Sequence, residues 1–337
     1  MATPFPVSVL DLAPVVTGET PAMALRNSLD LVRHAEEWGY TRYWVAEHHN
    51  MPAVASTTPP VLIAHLADAT SRIRVGSGGV MLPNHPPLVV AEQFGMLEAL
   101  HPGRIDLGIG RAPGTDPNTA KALRREAGTL TVDEFPDQLM DLMSFFTGDF
   151  PEDHPYRQIR AVTALDNMPD FWLLGSSGYS AQVAGILGIP FAFAHHFSSQ
   201  NTLPAMELYR ERFQASPRLS EPYAMVCANV ICADTDERSE WLSQPSRLHF
   251  ARIRQGLSLP FPSPEEVAET TTDADRRFMA EHTGSYIVGD PERVRRELED
   301  LMRAAGAQEL MITTTTHAHA DRLHSFELLA RTFGLTD

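Results

Sequence analysis

Residues 73–110 read IRVGSGGVMLPNHPPLVVAEQFGMLEALHPGRIDLGIG and predict one complete strand–helix–strand unit. Within it, residues 73–82 are predicted to form a strand, 86–100 a helix with apolar residues at helical spacing, and 105–110 a buried strand. A helix that joins two strands of one sheet returns the chain to the same end, so we expect the two strands to run parallel.

The same alternation recurs along the whole chain. Strands are predicted at residues 7–16, 42–49, 73–82, 105–110, 171–174, 191–194, 223–233 and 309–315, and helices at 21–39, 60–69, 86–100, 131–146, 180–187, 204–215, 291–305 and 320–333. A parallel sheet closes at about eight strands, so we predict a (β/α)8 TIM barrel, an α/β fold forming one domain over residues 1–337. An open doubly wound sheet is disfavoured because no G-x-G-x-x-G follows a strand: after Gly108 and Gly110 the next glycine is Gly114, one position too late.

Two stretches interrupt the alternation. Residues 112–129 and 245–285 are rich in polar residues, proline, glycine and threonine, and they are predicted to be irregular. Insertions of this kind usually build the mouth of a barrel, so we expect them to shape substrate specificity there.

Composition narrows the class of protein. The chain has 43% hydrophobic and 21% charged residues, typical of a soluble globular protein, and its net charge of −16 disfavours nucleic acid and anionic membranes as partners. The two cysteines, Cys227 and Cys232, are predicted to face opposite sides of one strand and not to form a disulfide. With no signal peptide apparent, this suits the cytoplasm, and the uncharged stretch 171–206 is interpreted as buried interior rather than a membrane span.

A histidine pair follows the second predicted strand. Glu47, His48 and His49 stand where barrel enzymes place catalytic side chains. A histidine there titrates near neutral pH, and a neighbouring carboxylate can fix its tautomer. Because successive strand residues face opposite ways, only one of the two histidines needs to enter the barrel, and the other can bond to the backbone.

Glycines interrupt the third strand, at Gly76, Gly78 and Gly79. Glycine weakens a strand unless a bulge or a close approach requires it. The run therefore predicts either a flat or bulky group lying against this strand or a tight barrel corner.

Two further segments are suited to binding an anion. Arg111 comes just after a strand and offers a planar set of donors, although a salt bridge would also explain it. Residues 175–180, with the sequence GSSGYS, lead from a strand into a helix, where free N–H groups and hydroxyls can hold a phosphate; a plain helix cap is the other interpretation.

Histidines late in the chain raise a metal hypothesis. His195 and His196 end the sixth strand, and His317, His319 and His324 follow the last one. Since H-E-x-x-H is absent and Asp321 is the sole carboxylate near His317 and His319, a metal site is the minority interpretation.

Taken together, the segments 47–49, 75–83, 103–111 and 175–180 resemble the bacterial luciferase-like flavin monooxygenases, with the four motifs in that family's order. The resemblance extends from the first strand to residues 313–317 and the closing helix. It implies a TIM barrel that binds reduced FMN at its C-terminal mouth. It also implies O2 as co-substrate, forming a C4a-(hydro)peroxyflavin that oxygenates an apolar or aromatic small molecule, with secondary metabolism as one setting.

The resemblance also implies roles for individual residues. His48 would be the acid or base near the flavin, with Glu47 and His49 as neighbours. Ser77, Gly78 and Gly79 would lie against the isoalloxazine ring, at a place where the family often has a cis non-prolyl bond. Arg111, Ser176, Gly178 and Tyr179 would bind the phosphate. Gly110 stands where luciferase has a reactive cysteine, so no thiol chemistry is expected there.

Partners and alternatives complete these expectations. Because the chain has no dinucleotide fingerprint, a separate NAD(P)H:flavin reductase is expected to supply the reduced flavin, and the resemblance implies a homodimer. The alternatives are an F420-dependent oxidoreductase that transfers hydride on the same barrel, a metal-dependent TIM-barrel hydrolase, and a catalytically silent flavin-binding protein. Retention of both His48 and Arg111 argues against the last of these.

Overall fold

The computed structural model describes residues 5–124, 134–282 and 285–336. In this part of the chain nine parallel strands form one sheet, and β7 pairs with both β6 and β9, which closes eight of them into a barrel. The predicted TIM barrel is confirmed. The strands are β1 (Val7–Asp11), β2 (Arg42–Val45), β3 (Arg74–Met81), β4 (Ile105–Gly110), β5 (Asp170–Gly175), β6 (Phe191–Ala194), β7 (Ala224–Cys232), β8 (Tyr286–Gly289) and β9 (Glu309–Thr313).

Helices surround the barrel and connect its strands. They are α1 (Pro21–Glu37), α2 (Pro59–Asp68), α3 (Pro87–Leu100), α4 (Pro117–Arg124), α5 (Phe135–Thr147), α6 (Gly178–Leu187), α7 (Thr202–Arg212), α8 (Asp236–Arg254), α9 (Pro264–Thr270), α10 (Asp273–His282), α11 (Pro291–Ala305) and α12 (His319–Thr332). The start of α1 is as predicted: Thr20 accepts a hydrogen bond from the Met23 N–H through its hydroxyl, and Pro21 occupies the first turn. No helix in these ranges is both long and apolar enough to cross a bilayer.

Two predicted strands end at least four residues early, and both differences affect the mouth of the barrel. The strand predicted at 7–16 ends at Asp11, and the chain then turns at Ala13, whose φ is +48°. The strand predicted at 42–49 ends at Val45. Glu47, His48 and His49 therefore lie in the loop after β2, where strand alternation no longer decides which way each side chain points.

The prediction that residues 245–285 are irregular is wrong. The stretch begins inside α8, which continues through Pro245, and it contains α9 and α10. Proline lacks one helical hydrogen bond, but the buried side chains Leu242 and Leu248 on either side of it pack against the protein and hold both halves of α8 in place. Short β8 follows and extends the sheet along the C-terminal half of β7, outside the closed barrel.

The other predicted insertion, 112–129, is in part helical. Its described part contains α4, and residues 125–129 lie outside the described residues. The helix predicted at 131–146 is described from Glu134 onward and begins at Phe135, so its first three predicted residues also lie outside.

The bulky group that the glycines of β3 accommodate at the barrel centre is an indole of the protein itself. Trp44 packs edge to face on Trp172 at 5.2 Å and donates from Nε1 to the Asp106 carboxylate at 2.8 Å. A Cβ on Gly76 would lie 2.9 Å from that indole nitrogen, and one on Gly78 would lie 3.1 Å from the indole ring. Asp106 and Leu10 would lie closer still, at 2.5 Å and 2.7 Å from those two Cβ positions, so Gly76 and Gly78 leave room for Trp44 together with these neighbours. This layer closes the floor of the barrel below its mouth.

The cysteines lie as predicted. Both belong to β7 and both are free thiols: Cys227 belongs to the inner cluster with Trp44, whereas Cys232 packs in the outer layer between barrel and helices.

Replacing Gly108 with alanine is expected to destabilise the barrel by about 3 kcal/mol, because overpacked cores commonly lose 1–3 kcal/mol and here the obstruction is backbone. The added Cβ would stand 2.1 Å from the Ser77 carbonyl oxygen. Gly110→Ala on the same strand is the control, since its Cβ would meet only the flexible end of Met81, at 2.9 Å. Chemical denaturation checks both variants, and equal stability of the two would contradict the packing argument.

Candidate active site

A cavity of about 210 Å³ opens at the C-terminal ends of the strands. The Trp44 layer forms its floor, and apolar residues such as Leu10, Leu174 and Met311 form most of its walls. Its polar lining comes from separate strand ends and their loops: His48, Arg111, Ser176, Ser177, Ser180 and His196. We refer to it as the first cavity.

A second cavity, of about 330 Å³, adjoins the first. Leu12, His48, His196 and Phe197 line both. Residues of α8 and the ends of β7 and β9 form the rest of its wall, so it lies between the barrel mouth and the region predicted at 245–285. The two cavities share a boundary that carries two imidazoles.

His48 lies at this boundary and is neutral at pH 7. Its Nδ1 is 3.4 Å from the carbonyl oxygen of Gly114, and because a carbonyl only accepts, Nδ1 carries the proton in this arrangement. Burial lowers the pKa of His48, and the opposing effects of the Gly114 carbonyl and the Glu47 carboxylate do not restore it. The neutral ring therefore has its Nε2 lone pair free to accept a proton.

Glu47 is fully buried and holds the loop beneath His48. Its carboxylate accepts from His49 Nε2 at 2.9 Å, from His85 Nε2 at 2.8 Å and from the Met81 N–H at 3.0 Å. Burial raises the pKa of Glu47, but these donors outweigh burial and leave the pKa below its usual value. Glu47 and His49 line neither cavity, so the geometry gives them a positioning role.

His196, at the end of β6, is the second imidazole at the boundary. It is buried, and its Nδ1 is 3.0 Å from the Cys227 carbonyl oxygen, which leaves Nε2 unprotonated in the neutral ring. Burial, opposed by the hydrogen bond to the Cys227 carbonyl and assisted by the nearby His195 and His48, lowers the pKa of His196 to about 4. Two neutral imidazoles thus stand side by side where the cavities meet.

The opposite rim of the first cavity is suited to bind an anion. The Arg111 guanidinium stacks on the Tyr179 ring at 4.1 Å, and within the described residues it has no carboxylate partner. Next to it α6 begins at Gly178, and the side chain of its cap residue, Ser177, makes no capping hydrogen bond. Free guanidinium donors and free N–H groups therefore converge with the positive end of the helix dipole.

The segment at Ser77 meets the cavity at one residue. Gly78 lines the first cavity, whereas Ser77 is buried and bonds through its hydroxyl to the Gly108 backbone at 2.9 Å and 3.0 Å. The Gly78–Gly79 peptide bond is cis, as the resemblance implies. Of the predicted ring-contacting residues, the structure exposes Gly78 to the cavity and places Ser77 and Gly79 behind it.

Comparison with known proteins identifies the family. The model of the family described as luciferase-like monooxygenase matches residues 5–309. A luciferase-like monooxygenase of Escherichia coli K12 is 45% identical over 95% of both chains. The N-acetyl-S-alkylcysteine monooxygenase of Bacillus subtilis is 35% identical over 96% of this chain and 97% of its own. The crystal structure of apo-MsnO8 superposes with a TM-score of 0.90 at 38% identity, covering 98% of this chain and 99% of that one.

The chain belongs to the luciferase-like monooxygenase family. The predicted family is confirmed, and the protein is a flavin-dependent monooxygenase.

In this luciferase-like monooxygenase, several cavity residues were not among the predicted site residues. His196 was considered only as a metal ligand, although its place at a strand end was a signal for the cavity. His85, which supports the site through its hydrogen bond to Glu47, lies 38 residues away along the chain, and no local sequence motif predicts that contact. Ser177 and Ser180 lie within the predicted phosphate segment and line the cavity together with Ser176.

The late histidines do not gather into one site. His317 contacts the Thr17 carbonyl, His319 pairs with Asp30, and His324 pairs with Asp234. Within residues 5–124, 134–282 and 285–336, no group of three or more histidine, cysteine or acidic side chains is placed to hold a metal ion. The geometry therefore gives no support to the metal-dependent hydrolase.

Acid is expected to destabilise the luciferase-like monooxygenase through His196. The pKa of His196 in the folded protein is about 4, below the ordinary histidine value of about 6.5. Between these two pH values the unfolded chain is protonated at residue 196 and the folded chain is not. The free energy of unfolding is therefore highest above pH 6.5 and falls as the pH falls toward 4. Between pH 7 and 5 the loss is about 2 kcal/mol. Urea denaturation at both pH values measures it: His196→Gln should lose that much less than the wild type, while His65→Gln, at an exposed position on α2, should follow the wild type. Identical pH slopes for all three would contradict the assignment.

Proposed function

We propose that this protein uses reduced FMN and O2 to oxygenate an apolar or aromatic small molecule. The observation that carries the proposal is the Arg111 guanidinium, which has no carboxylate partner in the described chain and faces the first cavity beside the uncapped start of α6. This arrangement fits the terminal phosphate of FMN, which presents several acceptor oxygens to planar donors and N–H groups.

Different parts of the first cavity would hold the phosphate and the ring of FMN. Arg111, Ser176 and the N–H groups of Gly178 and Tyr179 would hold the phosphate at one rim. The ring would lie over the Trp44 floor, against Gly78 and the apolar walls. Each charge-assisted hydrogen bond contributes about 1.5–3 kcal/mol, which is enough to orient FMN while still letting it exchange.

The bound reduced flavin would supply the electrons that activate O2. The chain's own contribution is to manage protons and water. His48 Nε2 can accept a proton where the ring and the substrate meet, and Glu47 holds the loop that positions it. Apolar walls made by Leu10, Leu174 and Ala192 would exclude water from the place where the flavin activates O2.

Two solved structures share the barrel fold. A Baeyer–Villiger monooxygenase component crystallised in complex with FMN has a TM-score of 0.73 at 19% identity, which shows the fold alone. An F420-dependent alcohol dehydrogenase has a TM-score of 0.67 at 15% identity, which likewise shows the fold alone. We infer that the reduced flavin comes from a separate NAD(P)H:flavin reductase and that the enzyme works as a homodimer in the cytoplasm.

Isotope labelling tests the function. The purified protein, reduced FMN and ¹⁸O₂ are incubated with a panel of thioethers, aldehydes and aromatic compounds, and products are analysed by mass spectrometry. We expect one ¹⁸O atom in the product and less hydrogen peroxide than free reduced FMN releases. Turnover with reduced F420 without oxygen incorporation, or FMN oxidation at the rate seen without protein, would contradict the proposal.

A further inference from the structure

The second cavity is lined by an arginine, Arg254, that takes no part in the FMN site proposed for the first cavity. Arg254 is the last residue of α8 and lines this cavity, with its guanidinium carbon 5.2 Å from the centre of the Phe250 ring. It is exposed, and among the described residues no carboxylate pairs with it. An exposed guanidinium without a carboxylate partner can bind the carboxylate of a ligand, whose two oxygens match its donors.

Two polar side chains without partners lie deeper in the same cavity. Asn229 of β7 and Thr313 of β9 are paired in register, so their side chains stand next to each other, and both line the second cavity. Thr313 is 3% exposed, and its hydroxyl makes no hydrogen bond to any described residue. The Asn229 amide likewise has no hydrogen-bond partner in the described chain. Buried polar groups are ordinarily satisfied, so the Thr313 hydroxyl indicates a missing partner, and the partly exposed Asn229 amide beside it is open to the cavity. Together they suit a ligand that both donates and accepts, as an amide does.

This polar pair lies next to the boundary with the first cavity. Cys227 stands two residues before Asn229 on the same face of β7 and lines the first cavity, whereas Asn229 lines the second. The rest of the wall is mostly apolar, with Val54, Ile253 and Phe261 among its residues, although Ser246, His249, Tyr286 and Thr315 also line it.

We propose that the second cavity binds an amphipathic organic carboxylate. Its carboxylate pairs with Arg254, its apolar body lies along the wall, and an amide or carbonyl group bonds to Asn229 and Thr313. The proposal rests on the oxygenation function above and names the substrate class of the same site. It places the amide end of the substrate nearest the boundary, where His48 and His196 lie and where the flavin ring would end.

The overall charge of the protein does not oppose this assignment. The chain carries a net charge of −16, which would repel an anion at long range. At physiological ionic strength, however, charges are screened over about 8 Å, so the nearest guanidinium dominates at the cavity mouth.

Calorimetric titration of the protein without flavin tests the proposal with three probes. 4-(4-Acetamidophenyl)butyrate has the carboxylate at one end, the amide at the other and the apolar body between them; its methyl ester lacks the charge; and 4-phenylbutyrate lacks the amide. We expect 4-(4-acetamidophenyl)butyrate to bind about tenfold tighter than its ester and about fivefold tighter than 4-phenylbutyrate.

Substitutions at two residues, Arg254 and Thr313, separate the ends of the site. Arg254→Gln should weaken both carboxylates about tenfold and leave the ester unchanged, and Arg254→Lys should restore part of the affinity. Thr313→Val, which keeps the side-chain shape, should weaken the two acetamides about fivefold and leave 4-phenylbutyrate unchanged. Arg252→Gln is the matched control, because Arg252 lies on the same helix but lines a different cavity together with Asp275. Thermal melts establish that each variant is folded.

Equal affinity for acid and ester, or equal loss in Arg254→Gln and Arg252→Gln, would overturn the proposal. Since these titrations need neither flavin nor oxygen, they separate the two claims. Binding of the probes as expected without any FMN binding would support this site and refute the oxygenation function. Binding of FMN without any of the probes would refute the substrate class alone.

Discussion

Replacing Arg111 with alanine is expected to weaken FMN binding about 100-fold, because the phosphate loses one or two charge-assisted hydrogen bonds, each of about 1.5–3 kcal/mol. The wild-type guanidinium is held on the Tyr179 ring at 4.1 Å, so it is oriented before the phosphate arrives. Quenching of flavin fluorescence on titration with protein measures the dissociation constant.

Matched variants show whether the Arg111 effect is specific. Arg111→Lys keeps the charge but not the planar donors, and it should recover only part of the affinity. Arg238→Ala removes an arginine that already pairs with Asp321 on the surface, and it should leave FMN binding unchanged. If the Arg111→Ala variant bound FMN as tightly as the wild type, the proposal that the phosphate binds at this rim would be wrong.

Replacing His48 with glutamine is expected to lower kcat by a factor of about 100 to 10,000, the range associated with loss of a general acid or base. FMN affinity should change much less than in Arg111→Ala, because His48 lies at the boundary of the cavities and not at the phosphate rim. Rates of ¹⁸O incorporation with an accepted substrate, together with flavin titration, measure the two effects.

The pH profile gives a second readout for His48. Burial lowers the pKa of this imidazole, so the neutral, proton-accepting form persists below the ordinary histidine value, and the acidic limb of kcat/KM should fall below pH 6.5. His48→Gln should lack that limb, and His65→Gln should keep it. Equal losses of flavin binding and turnover in His48→Gln and Arg111→Ala would refute the separation of their roles.

The barrel could be predicted from the sequence because its signal is repetitive. Each strand–helix unit repeats the same periodicity, and the rule that parallel strands close at eight then fixes the architecture. The placement of Arg111 next to residues 175–180 could also be predicted, since both follow strands whose ends share one side of the barrel.

Contacts between distant segments could not be predicted. His85 reaches Glu47 across 38 residues, and Asn229 meets Thr313 only because β7 and β9 become neighbours on closure. Pro245 and its polar surroundings predicted an irregular stretch, whereas tertiary packing keeps α8 helical and so carries Arg254 to the second cavity. Local patterns identify elements and their ends, and the second cavity depends on how those ends meet.

The central claim is that the first cavity binds FMN with its phosphate at the Arg111 rim and its ring over the Trp44 floor. A crystal structure of the protein with FMN tests it most directly. The account predicts phosphate oxygens within hydrogen-bond distance of the Arg111 guanidinium and the Tyr179 N–H, with the ring edge pointing toward His48. A flavin bound in the second cavity, or a phosphate at any other rim, would contradict it.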